Sequence, residues 1–75
     1  MSTRPQKHSL TLKGHRTSVS LEPEFWTAFR DIAAAQSIPI NVLASDIDAS
    51  READVGLASA IRVYVLAWYK DRSGD

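Results

Sequence analysis

The chain has no cysteine, which excludes disulfides and every thiolate metal site. It has no apolar run near the roughly 20 residues that span a bilayer. Its longest apolar stretch lies within Val63 to Tyr69. Glycine and proline occur only three times each, too few for a turn-rich or low-complexity chain. The opening Met-Ser-Thr-Arg-Pro-Gln-Lys-His carries basic residues but no apolar segment follows it, so no secretory signal is expected and the cytoplasm is the expected location. With 75 residues there is room for one domain, and a domain of that size is marginal alone. Association with a second chain is the remaining source of support. The 44% hydrophobic content, with two Trp, two Tyr and two Phe, excludes a disordered tail and predicts a packed core.

Acidic residues are also missing from one end. Met1 to Arg16 contains the cations Arg4, Lys7, Lys13 and Arg16, together with His8 and His15, and no Asp or Glu. All nine acids lie beyond Arg16, where only five cations accompany them, so a net charge of zero conceals a basic end and an acidic body.

Residues 1–7, polar and containing Pro5, read as a flexible basic arm ahead of a single domain over residues 8–75. From Arg16 to Leu21 the chain alternates, with Thr17, Val19 and Leu21 on one face and Arg16, Ser18 and Ser20 on the other, which predicts a half-buried strand over residues 16–21. Pro23 at a first helical position, with Glu22 and Glu24 near the positive end of the dipole, opens a helix over 23–36. Phe25, Phe29, Ile32 and Ala33 form its apolar face. Ile38 before Pro39 ends it. A second helix, over 40–50, presents Ile40, Leu43, Ala44 and Ile47 on one side, and the run from Ala49 to Gly56 reads as a fraying end and a loop. A third, over 57–72, carries Leu57, Ile61, Tyr64, Val65 and Trp68. Val63, Leu66 and Tyr69 widen its apolar surface beyond what one small layer covers, so part of it is expected at a subunit interface. Val19, Leu21, Phe25, Phe29, Leu43, Ile47, Ile61 and Trp68 are the expected core and dimer residues. The fold class is mainly α with one short strand.

A lone strand leaves its backbone groups unpaired, so it needs a partner strand. The expectation is a second copy of the chain: two strands pairing antiparallel about a twofold axis make a ribbon that fits the major groove of DNA. The other solution is an internal hairpin, with Ser9 to Leu12 folding back through Lys13-Gly14, although the flanking turn chemistry is weak.

The block Gly14-His15-Arg16-Thr17-Ser18-Val19-Ser20-Leu21-Glu22-Pro23-Glu24-Phe25-Trp26, followed by Ile40-Asn41-Val42-Leu43 and Leu57-Ala58-Ser59-Ala60-Ile61-Arg62, resembles a family of short bacterial ribbon-helix-helix proteins of the Arc/MetJ-like group. The resemblance spans residues 9–70, and the block from Gly14 to Trp26 is its specific part. It implies a homodimeric transcriptional regulator that binds double-stranded DNA, with Arg16, Ser18 and Ser20 reading bases. Arg can grip guanine with two bonds, and a Ser hydroxyl can donate or accept. It also implies a phosphate anchor at the start of the second helix, at Ile40 and Asn41. Pro39 departs from the family pattern there, standing where a capping hydroxyl is common. Lys7 and Lys13, with Arg4 in the arm, are the expected phosphate contacts from the basic end.

Other chemistries are poorly supplied. His15 and Arg16 fall on opposite faces of the strand with no acid to orient the imidazole, so no catalytic site is expected and the chain reads as a non-enzyme. His8 and His15 make a poor metal pair and read as solvated. Asp46, Asp48, Glu52 and Asp54 lack the glycine and terminal glutamate of a calcium loop and read as a solvated face. No metal, cofactor or membrane contact is expected. The rival to DNA binding is a protein-interaction module, in which the acidic helices and the Trp68-Tyr69 region dock on a partner protein.

Overall fold

The computed structural model describes residues 4–73. Its elements run β1 (Gln6–Leu12), β2 (His15–Leu21), α1 (Pro23–Ala35), α2 (Ile40–Ser50) and α3 (Leu57–Arg72). The two strands form an antiparallel hairpin. This corrects the expectation of a lone strand whose partner must come from a second copy: β2 is already paired along its length, from Gln6 opposite Leu21 to Leu12 opposite His15. Strand β1 also takes up Gln6 and Lys7, which the sequence reading put in the arm. Met1 to Thr3 of that arm lie outside the described residues.

The turn explains the pairing. Lys13 has φ 52° and Gly14 has φ 85°, the two positive values of a type I′ turn, whose twist matches that of the flanking strands. Glycine meets this at no steric cost, whereas Lys13 must hold a left-handed conformation. Alternation then sorts the side chains. His8, Leu10 and Leu12 of β1 and Thr17, Val19 and Leu21 of β2 face the helices. Leu10, Val19 and Leu21 are buried there.

Below the hairpin the three helices close a core of Phe29, Ile32, Ala33, Leu43, Ala44, Ile47, Ile61 and Val65. Phe25 and Trp68, expected inside, are only half-buried and pack on its rim. Helix α1 starts at Pro23 and ends through a different device from the proline effect expected at Ile38. Ser37 adopts φ 58°, which lets its N–H reach the Ala34 carbonyl at 3.0 Å and the Ile38 N–H reach the Ala33 carbonyl at 3.1 Å. That pair of bonds is a Schellman stop. Nor does the α2–α3 connection fray. Arg51 holds it, donating from Nε to Asp48 at 2.8 Å and from Nη1 to the Val55 carbonyl at 2.6 Å.

Three of the apolar residues on α3 stay uncovered, with Val63 66%, Leu66 58% and Tyr69 46% exposed. Among the described residues no helix is long and apolar enough to cross a membrane.

The two left-handed residues of unlike type give a paired test. Gly14→Ala should destabilise the domain by about 1–2 kcal/mol, the usual cost of a Cβ in that region, and Ser37→Gly should stabilise it by up to about 1 kcal/mol. Urea unfolding of both variants beside the parent measures this. Equal stability in all three would mean that the two turns do not have the described geometry.

Candidate nucleic-acid interface

The hairpin's outer face is made of three cross-strand pairs: Lys7 with Ser20, Ser9 with Ser18, and Thr11 with Arg16. All six side chains are exposed, two are cationic and none is acidic. The fold thus gathers the predicted base readers Arg16, Ser18 and Ser20 with the predicted phosphate contact Lys7 on one surface. Lys13 projects from the turn at its end. Ser9 and Thr11, on which no role was predicted, complete the row. Their signal was available in the alternation of Ser9-Leu10-Thr11-Leu12, but it counts only once the hairpin is accepted.

The phase of the ladder follows from the turn. A type I′ turn of two residues closes on a hydrogen-bonded pair, here Leu12 with His15, so every second pair inward is hydrogen-bonded and the pairs between are not. The three outer-face pairs are the non-bonded ones. Their side chains approach closely, and their N–H and C=O groups point sideways, away from the partner strand. Two contacts agree with this phase. The Thr11 N–H donates to Asn41 Oδ1 at 3.0 Å across the β1 edge, and Arg62 Nη2 donates to the Ser20 carbonyl at 3.3 Å across the β2 edge.

Each edge thus has one group tied by a side chain. Strand β1 is tied to the first turn of α2 through Asn41, and β2 to α3 through Arg62. The sideways N–H and C=O groups of Lys7 and Ser9 on β1, and of Arg16 and Ser18 on β2, have no hydrogen-bond partner among the described residues. At the head of α2, the Val42 and Leu43 N–H groups reach the Pro39 carbonyl at 3.0 and 3.2 Å, and no side chain caps the helix. The N–H groups of Ile40 and Asn41, the first of the helix, have no acceptor within it. They lie beside the hairpin turn, where Thr11, Lys13, Gly14, Asn41, Val42, Ser45 and Asp46 line one open hollow.

Below β2, Arg62 also donates from Nε to Glu22 at 2.9 Å and lies over the Phe25 ring, 5.8 Å from its centre. The hydrogen bond from Arg62, and then the backbone N–H of Glu22 itself, hold the Glu22 carboxyl below its ordinary pKa. His8, expected to be solvated, instead stacks flat on Trp26 with ring centres 3.8 Å apart and planes 5° apart. Its half-buried imidazole packs the hairpin onto α1. Among the described residues no cluster of three His, Asp or Glu could hold a metal ion.

A family model for the ribbon-helix-helix domain matches residues 5–69, and the chain belongs to that family. Searches of curated proteins and of solved structures found no match.

Asn41 and Glu22 each yield a measurable expectation. Asn41→Ala should release the Thr11 amide, costing roughly 0.5–1.5 kcal/mol and speeding hydrogen exchange at Thr11 before the rest of the hairpin. Unchanged Thr11 protection would mean that the clamp has no weight. Because the Glu22 pKa is lowered in the folded state, its stabilising contribution is present above the unfolded carboxylate value and is lost as pH falls through the folded one. Denaturation of Glu22→Gln across that acid window should show a shallower loss than the parent, and parallel curves would remove the pair from the account.

Proposed function

We propose that this ribbon-helix-helix chain is a sequence-specific DNA-binding transcriptional regulator that acts as a homodimer. The observation that carries the reading is the outer face of the hairpin: six exposed polar side chains, two of them cationic, with no acid among them, on a chain whose acids all lie elsewhere. An acid-free, cation-bearing β surface is what a groove walled by phosphates accepts.

Two copies meet along β2, whose Arg16, Ser18 and Ser20 occupy the family's outward strand positions. Asn41 holds one backbone group of β1, and β2 offers the sideways groups of Arg16 and Ser18 to a second chain. Antiparallel pairing about a twofold axis through Ser18 sets Ser18 against Ser18 and Arg16 against Ser20, whose carbonyl then accepts from both Arg62 and the second strand, and places two β2 strands at the centre of a four-stranded sheet. Those central strands form the ribbon in the major groove, where Arg16, Ser18 and Ser20 of each copy meet base edges. The ribbon expected from the sequence is thus kept, built onto an internal hairpin rather than in place of one. Lys7, Lys13 and the free N–H groups of Ile40 and Asn41 serve as phosphate contacts, which fix register without reading sequence. The bacterial cytoplasm, where the regulated DNA lies, is the compartment this function implies, and no catalytic step belongs to it.

A protein-docking role is the second reading, favoured by the exposed Val63, Leu66 and Tyr69 on α3. Arg62 reaches the open edge of β2 from the same helix, and Leu66 and Tyr69 follow Arg62 at helical spacing. Twofold pairing at β2 therefore brings α3 of each copy toward the other, which accounts for part of that surface without a foreign partner.

Salt separates the two readings. Binding to DNA should weaken as salt rises, with a log–log slope of about −4 for two lysine contacts from each of two copies, whereas docking on a protein gives no such slope. Arg16→Ala should cost roughly 1–3 kcal/mol at the preferred site and less on random DNA, and Lys13→Ala should weaken both alike. The thermal midpoint should rise with protein concentration, and Val19→Asp, which buries a charge under the ribbon, should abolish the folded dimer. A folded, dimeric Arg16→Ala variant that keeps its full preference for one sequence would remove the ribbon as the reader.

A further inference from the structure

We infer that the outward face of β1 is a second DNA-contacting surface, with Ser9 and Thr11 joining Lys7 in binding phosphodiester oxygens on both walls of the groove. The inference rests on the dimeric ribbon proposed above. Strands in a sheet lie about 4.8 Å apart, so in a β1–β2–β2–β1 arrangement the two central strands sit about 2.4 Å from the twofold axis and the two β1 strands about 7 Å from it. The major groove is about 12 Å wide, so its walls begin about 6 Å from the same axis. The β2 side chains therefore stand over base edges, and the β1 side chains stand over the sugar-phosphate walls, one β1 strand on each.

The residues on β1 suit that place. Lys7, Ser9 and Thr11 are exposed and project from the same face as Arg16, Ser18 and Ser20, to which they are the direct cross-strand neighbours. Hydroxyls on Ser9 and Thr11 supply short donors for phosphate oxygens, and Lys7 supplies a charge at the end of a longer stem. No acid lies on the strand to oppose an anion. The Asn41 bond to the Thr11 N–H ties this strand to the head of α2. The sheet would then grip both strands of the duplex at its margins while its centre reads bases.

The test uses the full chain with Ser9→Ala, Thr11→Val and the double variant. Thr11→Val keeps the β-branched shape and the backbone N–H that Asn41 holds, so the hairpin persists, and circular dichroism and sedimentation verify fold and assembly. DNA affinity is measured on the site selected from a random pool and on each single-base variant of it. The double variant, which removes four hydroxyls from the dimer, should lose about thirtyfold or more on every sequence alike, as expected for lost hydrogen bonds to phosphate. Its selected site should stay unchanged, and phosphate ethylations that block the parent on both walls should no longer matter. Unaltered affinity would overturn the inference. So would a changed base preference, since it would place β1 over the bases and make the hairpin of one copy the whole ribbon. Arg16→Ala, measured in parallel, isolates the ribbon reading: if that variant loses specificity while the β1 variants bind as the parent does, only the β1 contact fails. If the parent binds no DNA, both fail together.

Discussion

A polypeptide edge cannot be left unpaired away from water, and in this domain that constraint is met at Lys13-Gly14. The two positive φ values reverse the chain with the twist the strands require, so β1 returns along β2 and supplies its hydrogen bonds. Everything above the helices follows from that reversal. It sets the phase of the ladder, which puts Lys7, Ser9, Thr11, Arg16, Ser18 and Ser20 on one face and Leu10, Val19 and Leu21 on the other. It also decides which backbone groups point sideways, and so where each edge can be closed. Shifting the pairing by one residue would invert both faces and expose the three buried side chains.

The helices were legible because their apolar spacing is strong and their starts are marked. Pro23 behind Glu22, and the recurrence of Phe25, Phe29, Ile32 and Ala33, admit little else. The hairpin is weakly marked in the sequence. A two-residue turn of this type favours Asn, Asp or Gly at its first position, and Lys13 stands there instead, so local propensity opposed what the cross-strand packing of Leu10 and Val19 imposes. The proline effect predicts α1 to residue 36, and the helix ends at Ala35, where Ser37 in a left-handed conformation and its hydrogen bonds supply the stop. Interactions between distant segments left no trace in the sequence. Nothing in the spacing of His8 and Trp26 announces their stacking, and the bond between Thr11 and Asn41 joins residues 30 positions apart.

Asn41 shows how one residue type serves two demands. At the first turn of a helix headed by Pro39, an amide was expected to face an anion. Its Oδ1 is used inward instead, on the Thr11 N–H, which leaves the amide nitrogen and the helix's own N–H groups as the donors. The consequence is mechanical. The head of α2 and the edge of β1 are joined by that hydrogen bond. Loss of the missing cap at Pro39 is thereby offset in rigidity, though not in hydrogen bonding.

The distribution of charge bears on how such a surface would discriminate. A chain with nine cations and nine acids has no general attraction for nucleic acid, so long-range electrostatics contribute little affinity that is blind to sequence. On the proposed reading the attraction is local to the hairpin, while Asp46, which borders the hollow at its turn together with Lys13 and Asn41, opposes an anion there. On that reading, duplex would be accepted in one orientation, face-on to the sheet. Within that orientation few cations are available for phosphates, and a larger share of the binding free energy must come from short-range contacts, in which base identity is decided. A neutral protein with a basic ribbon therefore sacrifices total affinity relative to a uniformly basic one, but it raises the ratio of specific to non-specific binding, which is the quantity that matters when competing sites are numerous.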